Sequence, residues 1–206
     1  MAEIDLKLEG FLKNGGIRVS SVLSMIPTRD FDGKWGYPMQ AIDQGVLQRK
    51  ADLGSSVHAA IAAHCRDEFM PVNAKEEGFL GSYLKWEKEM NLEPRLMEVR
   101  YYHESMKLTG CIDMLGSLPN QKPEEYYIID FKCTVSADAV RWPIQAALYH
   151  LLCKARNIQV EKTALFVQLD PNGELPKVHK YVITDTLMAA AISWYNAYNY
   201  LTNGTK

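Results

Sequence analysis

Gly110-Cys-Ile-Asp113, Tyr126-Tyr-Ile-Ile-Asp-Phe-Lys-Cys133 and Gln145-Ala-Ala-Leu-Tyr149 follow one another in close order. The middle stretch is β-branched and aromatic, the composition of a strand, yet it carries Asp130 and Lys132 two residues apart. Side chains in a strand alternate with period two, so these two charges project from one face. Burying charge in an apolar strand is costly unless the groups pair, hydrogen-bond or hold a metal. The preceding apolar run, Leu108 to Leu115, carries Asp113 as another isolated carboxylate. Two carboxylates and a lysine on neighbouring strands can hold a divalent cation and steady a water beside it. The Asp-x-Lys triplet taken alone also fits a structural ion pair at a strand end.

The surrounding periodicity gives alternating helices and strands. Residues 43 to 50 and 54 to 70 read as two helices, with His58, Ile61 and Cys65 sharing a face and Pro71 ending the second. Residues 74 to 91 read as an amphipathic helix with Leu80, Tyr83, Leu84 and Met90 on its apolar side. Leu96 to Tyr102, Lys107 to Leu115 and Tyr126 to Cys133 form an expected antiparallel meander, with turns at Ser105-Met106 and from Pro119 to Pro123. A helix is expected from Pro143, a residue favoured in a first turn, to about Arg156. Strands from Lys162 to Leu169 and Lys177 to Ile183 flank the hairpin signal Asp170-Pro-Asn-Gly173, and a last helix takes Thr184 to Leu201. Thr28 to Pro38, rich in Gly, Asp and aromatic residues, is the expected mobile loop.

At 206 residues, 47% hydrophobic and 23% charged, the chain suits one well-cored domain better than two. The expected division is a single domain, 1–206, with an N-terminal substrate-contacting segment (1–50), a core (54–183) and a C-terminal helix (184–206). No apolar run approaches the roughly 20 residues that cross a bilayer. The start, Met-Ala-Glu-Ile-Asp-Leu-Lys, lacks the basic and apolar regions of a signal peptide. A cytoplasmic protein is expected. Cys65, Cys111, Cys133 and Cys153 contain no Cys-x-x-Cys pair, which favours reduced thiols. A net charge of −2 excludes a uniformly basic surface. A local basic groove would draw on Arg18, Arg29, Lys34, Arg49, Lys50 and Arg141, each of which also suits ordinary solvated charge.

The ordered set of a Gly-x-x-Asp strand, an apolar run into Asp-x-Lys and a helix with Gln-x-x-x-Tyr resembles the PD-(D/E)XK nuclease superfamily. The resemblance is to its RecB-like branch, with the viral and mitochondrial-maintenance exonucleases and the CRISPR-adaptation nucleases. Gly54-Ser-Ser-Val57-His58 is similar to the Gly-x-x-Val-His helix ahead of the sheet in that branch, although Leu53 stands where an Arg is usual. Val19-Ser-Ser-Val-Leu23 followed by Trp35 is similar to the N-terminal segment of phage members.

The resemblance implies an α/β (α+β) restriction-endonuclease-like core, a central mixed sheet with an antiparallel meander flanked by helices. It implies Asp113, Asp130, the Phe131 carbonyl and His58 as ligands of one or two Mg²⁺ or Mn²⁺ ions. Lys132 is implied as the partner of the attacking water, and Gln145 as its support or a phosphate contact. Tyr149 is left between a substrate role and a structural pair with Gln145. Glu98 is implied behind the metal ligands rather than on the ion. Lys34, Trp35, Arg49 and Lys50 are the candidates for substrate contact. The aromatic C-terminal helix, Trp194 to Tyr200, suits packing on the core, with base stacking the alternative. Because no cysteine follows Cys153, no iron-sulfur cluster is expected.

The activity implied is a metal-dependent DNA exonuclease acting at ends, favouring single strands, of phage origin, with a helicase or recombinase as the partner that delivers the end. The host cytoplasm would be its compartment. The alternatives are a structure-specific endonuclease using the same site and a non-catalytic nucleic-acid- or protein-binding module on the same fold.

Overall fold

The computed structural model describes residues 2–29, 35–36, 44–119 and 125–204. Its elements are α1 (Ala2–Lys13), β1 (Ile17–Arg18), α2 (Val19–Ser24), β2 (Thr28–Arg29), β3 (Trp35–Gly36), α3 (Gln44–His64) and α4 (Ala74–Met90). They continue with β4 (Glu93–His103), β5 (Leu108–Ser117), β6 (Tyr127–Lys132), α5 (Arg141–Ala155), β7 (Thr163–Gln168), β8 (Lys177–Val182) and α6 (Asp185–Asn203). The six-stranded sheet runs β1-β5-β6-β7-β8, with β4 also paired to β5. The β4-β5-β6 meander and the β7-β8 hairpin are antiparallel, while β6 and β7 are parallel. This is the mixed sheet flanked by helices expected of a restriction-endonuclease-like core.

Alternating side chains send each strand's residues to two cores. Ile128, Ala164 and Phe166 pack with α2, α5 and α6, whereas Ile129, Phe131, Leu165 and Val167 pack with α3 and α4. The sheet is therefore covered on both faces, which explains the near-continuous apolar runs of β6 and β7. Trp194 and Tyr198 of α6 pack against the first core, and the buried Tyr195 donates its hydroxyl to the Met106 carbonyl. These three aromatics are thus packing residues, as the first of the two sequence readings has it.

Helices α3 and α5 and strand β4 differ from expectation, β4 beginning at Glu93 rather than Leu96. A single helix, α3, replaces the two expected around Gly54, and it ends at His64 rather than running to Pro71. Its end is a local backbone closure: Asp67 adopts a left-handed φ of 55° and the Glu68 amide reaches back to the Ala63 carbonyl. Helix α5 begins two residues before Pro143, because the Asp138 carboxylate accepts the amides of Val140 and Arg141. At α4 the Asn73 side chain takes the Lys75 and Glu76 amides while Glu76 caps the Asn73 amide in return. The expected loop from Thr28 to Pro38 lies mostly outside the described residues; 28–29 and 35–36 pair as short strands.

The feature that creates a site is a parting of strands. β4 lines one edge of β5 along its length, and β1 and β6 take the other edge at its two ends. β1 pairs at Leu108 and Thr109, and β6 pairs from Met114 to Gly116. Among the described residues, Gly110 to Asp113 have no strand partner on that edge. The face alternation of β5 also breaks there, since Ile112 joins the α5 core while Met114 joins the α3 core.

Candidate active site

Asp113 stands where β5 and β6 part. Its Oδ2 accepts the Phe131 amide at 2.8 Å, so the carboxylate satisfies a backbone donor that the sheet leaves free. Its Oδ1 faces His58 Nδ1 at 3.4 Å. His58, on α3, reaches across the sheet end and donates Nε2 to the Phe131 carbonyl at 3.0 Å. Glu98 lies opposite Asp113, between the Met97–Met114 and Val99–Ile112 pairs, and takes a left-handed φ of 52° inside β4. A non-glycine residue so placed costs about 1–3 kcal/mol and persists where surroundings enforce it. The result brings Glu98 Oε1 to 3.9 Å from His58 Nδ1.

Asp130 and Lys132 project toward α5 as their spacing predicts. The Lys132 ammonium lies 2.5 Å from Asp130 Oδ2 and donates to Gln145 Oε1 at 3.1 Å. Gln145 Nε2 donates to Asp130 Oδ1 at 2.8 Å and to the Tyr149 hydroxyl at 3.0 Å. One amide thereby holds both members of the Asp-x-Lys pair, and Tyr149 holds the amide. The rings of Phe166 and Trp142 flank the Lys132 ammonium at 5.3 and 5.9 Å. Gly110 makes room for this arrangement, since a Cβ there would lie 2.8 Å from Tyr149 Cε1.

Electrostatics bind the two halves together. Burial disfavours charge on His58, but the Asp113 carboxylate, followed by Asp130 and Glu98, raises its pKa to about 9. Burial likewise works against an ionised Asp113, yet His58, Lys132 and the Phe131 amide hold its carboxyl below the ordinary value. Asp130 goes the other way: burial pushes it up to about 6 against the pull of Lys132, with Asp113 adding repulsion. Glu98 is raised by burial and then by Asp113.

The donor set fits a hard divalent cation. Ligand atoms of His58, Glu98 and Asp113 all lie within 4.8 Å of one another. Three carboxylates, Glu98, Asp113 and Asp130, gather around Lys132 and a protonated His58, and Asp130 Oδ2 has no well-directed hydrogen-bond donor among the described residues. Carboxylate-rich sites suit hard divalent cations. Glu98 departs from its expected place behind the ligands, because its left-handed backbone turns the carboxylate into the cluster. The Phe131 carbonyl is occupied by His58 Nε2, and Asp130 by Lys132 and Gln145.

Of the expected substrate contacts, Arg49 and Lys50 are exposed on α3, Lys34 lies outside the described residues, and Trp35 is placed by its backbone in β3. Arg141 is committed elsewhere: its guanidinium donates twice to the Ile26 carbonyl, at 3.0 and 2.6 Å. Sequence reading named Glu98 but set it behind the ligands rather than on the ion, whereas its carboxylate stands in the cluster with His58 and Asp113.

Residues 72–197 match the sequence profile of the PD-(D/E)XK nuclease superfamily. That span holds Glu98, Asp113, Asp130, Lys132, Gln145 and Tyr149 and stops short of His58. Among proteins of curated function, none matches the sequence significantly. The crystal structure of an alkaline exonuclease (LHK-Exo) from Laribacter hongkongensis is similar at 12% identity and a TM-score of 0.46, covering 92% of this chain and 90% of that one. The crystal structure of LHK-Exo in complex with dAMP gives 12% identity and a TM-score of 0.44, covering 91% and 88%.

Proposed function

Because the chain belongs to the PD-(D/E)XK nuclease superfamily, we propose that it is a divalent-metal-dependent DNA exonuclease that hydrolyses phosphodiester bonds from DNA ends and favours single strands. The observation that carries this reading is the convergence of His58, Glu98 and Asp113 within 4.8 Å, beside the Asp130–Lys132 pair.

His58, Glu98 and Asp113, with Asp130 next to them, would hold the cation. A bound divalent ion supplies Lewis acidity and positive charge at the scissile phosphate. Lys132 presents an ammonium fixed by Asp130, Gln145 and two aromatic rings. From there it orients the attacking water by hydrogen bonding and offsets charge that develops on the phosphate oxygens. Gln145 keeps Asp130 and Lys132 in register, so the carboxylate and the ammonium are presented together. His58 must give up a proton before its Nδ1 can serve as a ligand, and Asp113 is the nearest acceptor for hydrogen bonding while it remains charged. Arg49 and Lys50, exposed on the helix that carries His58, would meet phosphates of the incoming strand.

Cleavage of end-labelled single-stranded, duplex and circular DNA with Mg²⁺, Mn²⁺ or EDTA tests the reading. Metal-dependent loss of linear strands, intact circles and inactive Asp130→Ala and Lys132→Ala variants are expected. Cutting of circles would make the protein an endonuclease using the same residues. No cleavage of any substrate would leave a binding module on the nuclease fold.

A further inference from the structure

A cavity of about 300 Å³ opens at the carboxyl ends of β6 and β7, immediately past Lys132. Phe79, Pro171, Val135 and Leu175 give it apolar walls, Cys133 continues the strand that carries Asp130 and Lys132, and Lys177 stands at its edge. Its back is fixed by the β7–β8 turn. The Pro171 carbonyl sits so tightly on α4 that a Cβ at Gly78 would lie 1.8 Å from its oxygen. The Asp170 amide donates to Ser82 Oγ at 3.0 Å, and Gln168 ties the turn strand to the Thr134 carbonyl at 2.7 Å. The rim is the opposite case. Val135 is 96% exposed and Leu175 50% exposed, so two apolar side chains stand in water beside a preformed hollow.

We propose that this cavity is a nucleobase pocket that takes the base of a nucleotide next to the scissile phosphate. The proposal rests on the nuclease reading and deepens it. Three features select this occupant. Cys133 and Thr134 of its lining directly follow Lys132 at the end of the strand, on the far side of the sheet from the Lys132 ammonium, its volume suits one planar base with part of a sugar, and Lys177 in the lining supplies a cation for a nucleotide phosphate. Apolar walls bind any base through its faces, the sequence-tolerant mode of single-strand recognition. The Gln168 amide is already engaged with the Thr134 carbonyl and with His179, so it offers little readout of base identity. A base enters such a pocket only when unpaired. The cavity thereby gives the single-strand preference a physical origin.

The test uses single strands of one sequence in which a single abasic nucleotide is moved stepwise from the end. Wild type is expected to slow by about 10-fold or more at one fixed offset from the abasic site, the loss of one stacked base. Val135→Asp, at a position too exposed to threaten folding, should lower cleavage of intact strands by raising KM and should abolish the offset-specific pause. Leu175→Ala should do the same more weakly. Uniform digestion through every abasic position, or Val135→Asp and Leu175→Ala variants that match active wild type, would overturn the pocket while leaving the nuclease reading standing. If wild type cleaves nothing, the nuclease reading falls, and the pocket is judged by fluorescence anisotropy of the same strands. Weaker binding of abasic than of intact strands would support it, and equal binding would overturn it.

Discussion

The Phe131 amide donates to Asp113 Oδ2 across the gap where two strands cease to pair, so the carboxylate acts both as a prospective metal ligand and as a piece of the sheet. The two roles separate on mutation. Asp113→Ala leaves the buried Phe131 amide unsatisfied, which costs about 1–3 kcal/mol. Asp113→Asn keeps an oxygen for that amide and removes the charge. Both variants should lose cleavage and the charge that faces His58, whereas urea unfolding should show a larger loss of stability for Asp113→Ala than for Asp113→Asn. Equal stability of the two would mean that the hydrogen bond contributes nothing to the fold.

Gln145 touches Asp130, Lys132 and Tyr149 through one amide group. Gln145→Ala should lower kcat by about 100-fold, the scale on which small misplacement of reacting groups acts, with little change in KM. Tyr149→Phe removes only the hydroxyl behind the amide and should cost less than Gln145→Ala. A rise in KM with unchanged kcat for Gln145→Ala would instead make it a substrate-binding group.

Strand and helix assignments from β4 onward were legible because period-two and period-3.6 patterns survive in well-packed segments. The shared face of Asp130 and Lys132 was legible from their i,i+2 spacing on a strand, and the meeting of that pair with Asp113 and Gln145 from the resemblance of the ordered segments to the nuclease superfamily. Glu98 was legible as a nearby acid but not as a member of the cluster, because its placement depends on a left-handed residue inside a strand, a conformation that no propensity signals. The single helix through Gly54 was missed since a glycine lowers helix propensity and resembles a boundary. The glycines at 78 and 81 of α4 were a visible clue left unread: Gly78 marks the close approach of the Pro171 carbonyl, and with it the back of the cavity.

Stability without metal should depend on pH through His58. Its folded pKa of about 9 lies above the ordinary 6.5, so the folded state binds the proton more tightly. The stabilisation is fully present below pH 6.5 and is lost as pH rises through 9. Urea midpoints measured in EDTA should therefore fall across that window, and His58→Gln should flatten the fall. Mg²⁺ competes with the same proton, so it should raise the midpoint more at pH 9 than at pH 6.

Two glycines in helices should respond to alanine in opposite directions. Glycine in a helix interior is disfavoured relative to alanine by about 1 kcal/mol. A Cβ at Gly54 meets nothing within 4 Å, so Gly54→Ala should raise stability by about that amount. At Gly78 the new Cβ would lie 1.8 Å from the Pro171 carbonyl oxygen and 2.6 Å from its carbon, both backbone atoms of an anchored turn. Overpacking of this kind costs about 1–3 kcal/mol and outweighs the helical gain. Gly78→Ala should therefore unfold at lower urea and, by shifting the turn that backs the cavity, should also weaken binding of single strands. A stabilised Gly78→Ala would mean that the turn yields easily and that the cavity is less rigid than its contacts imply.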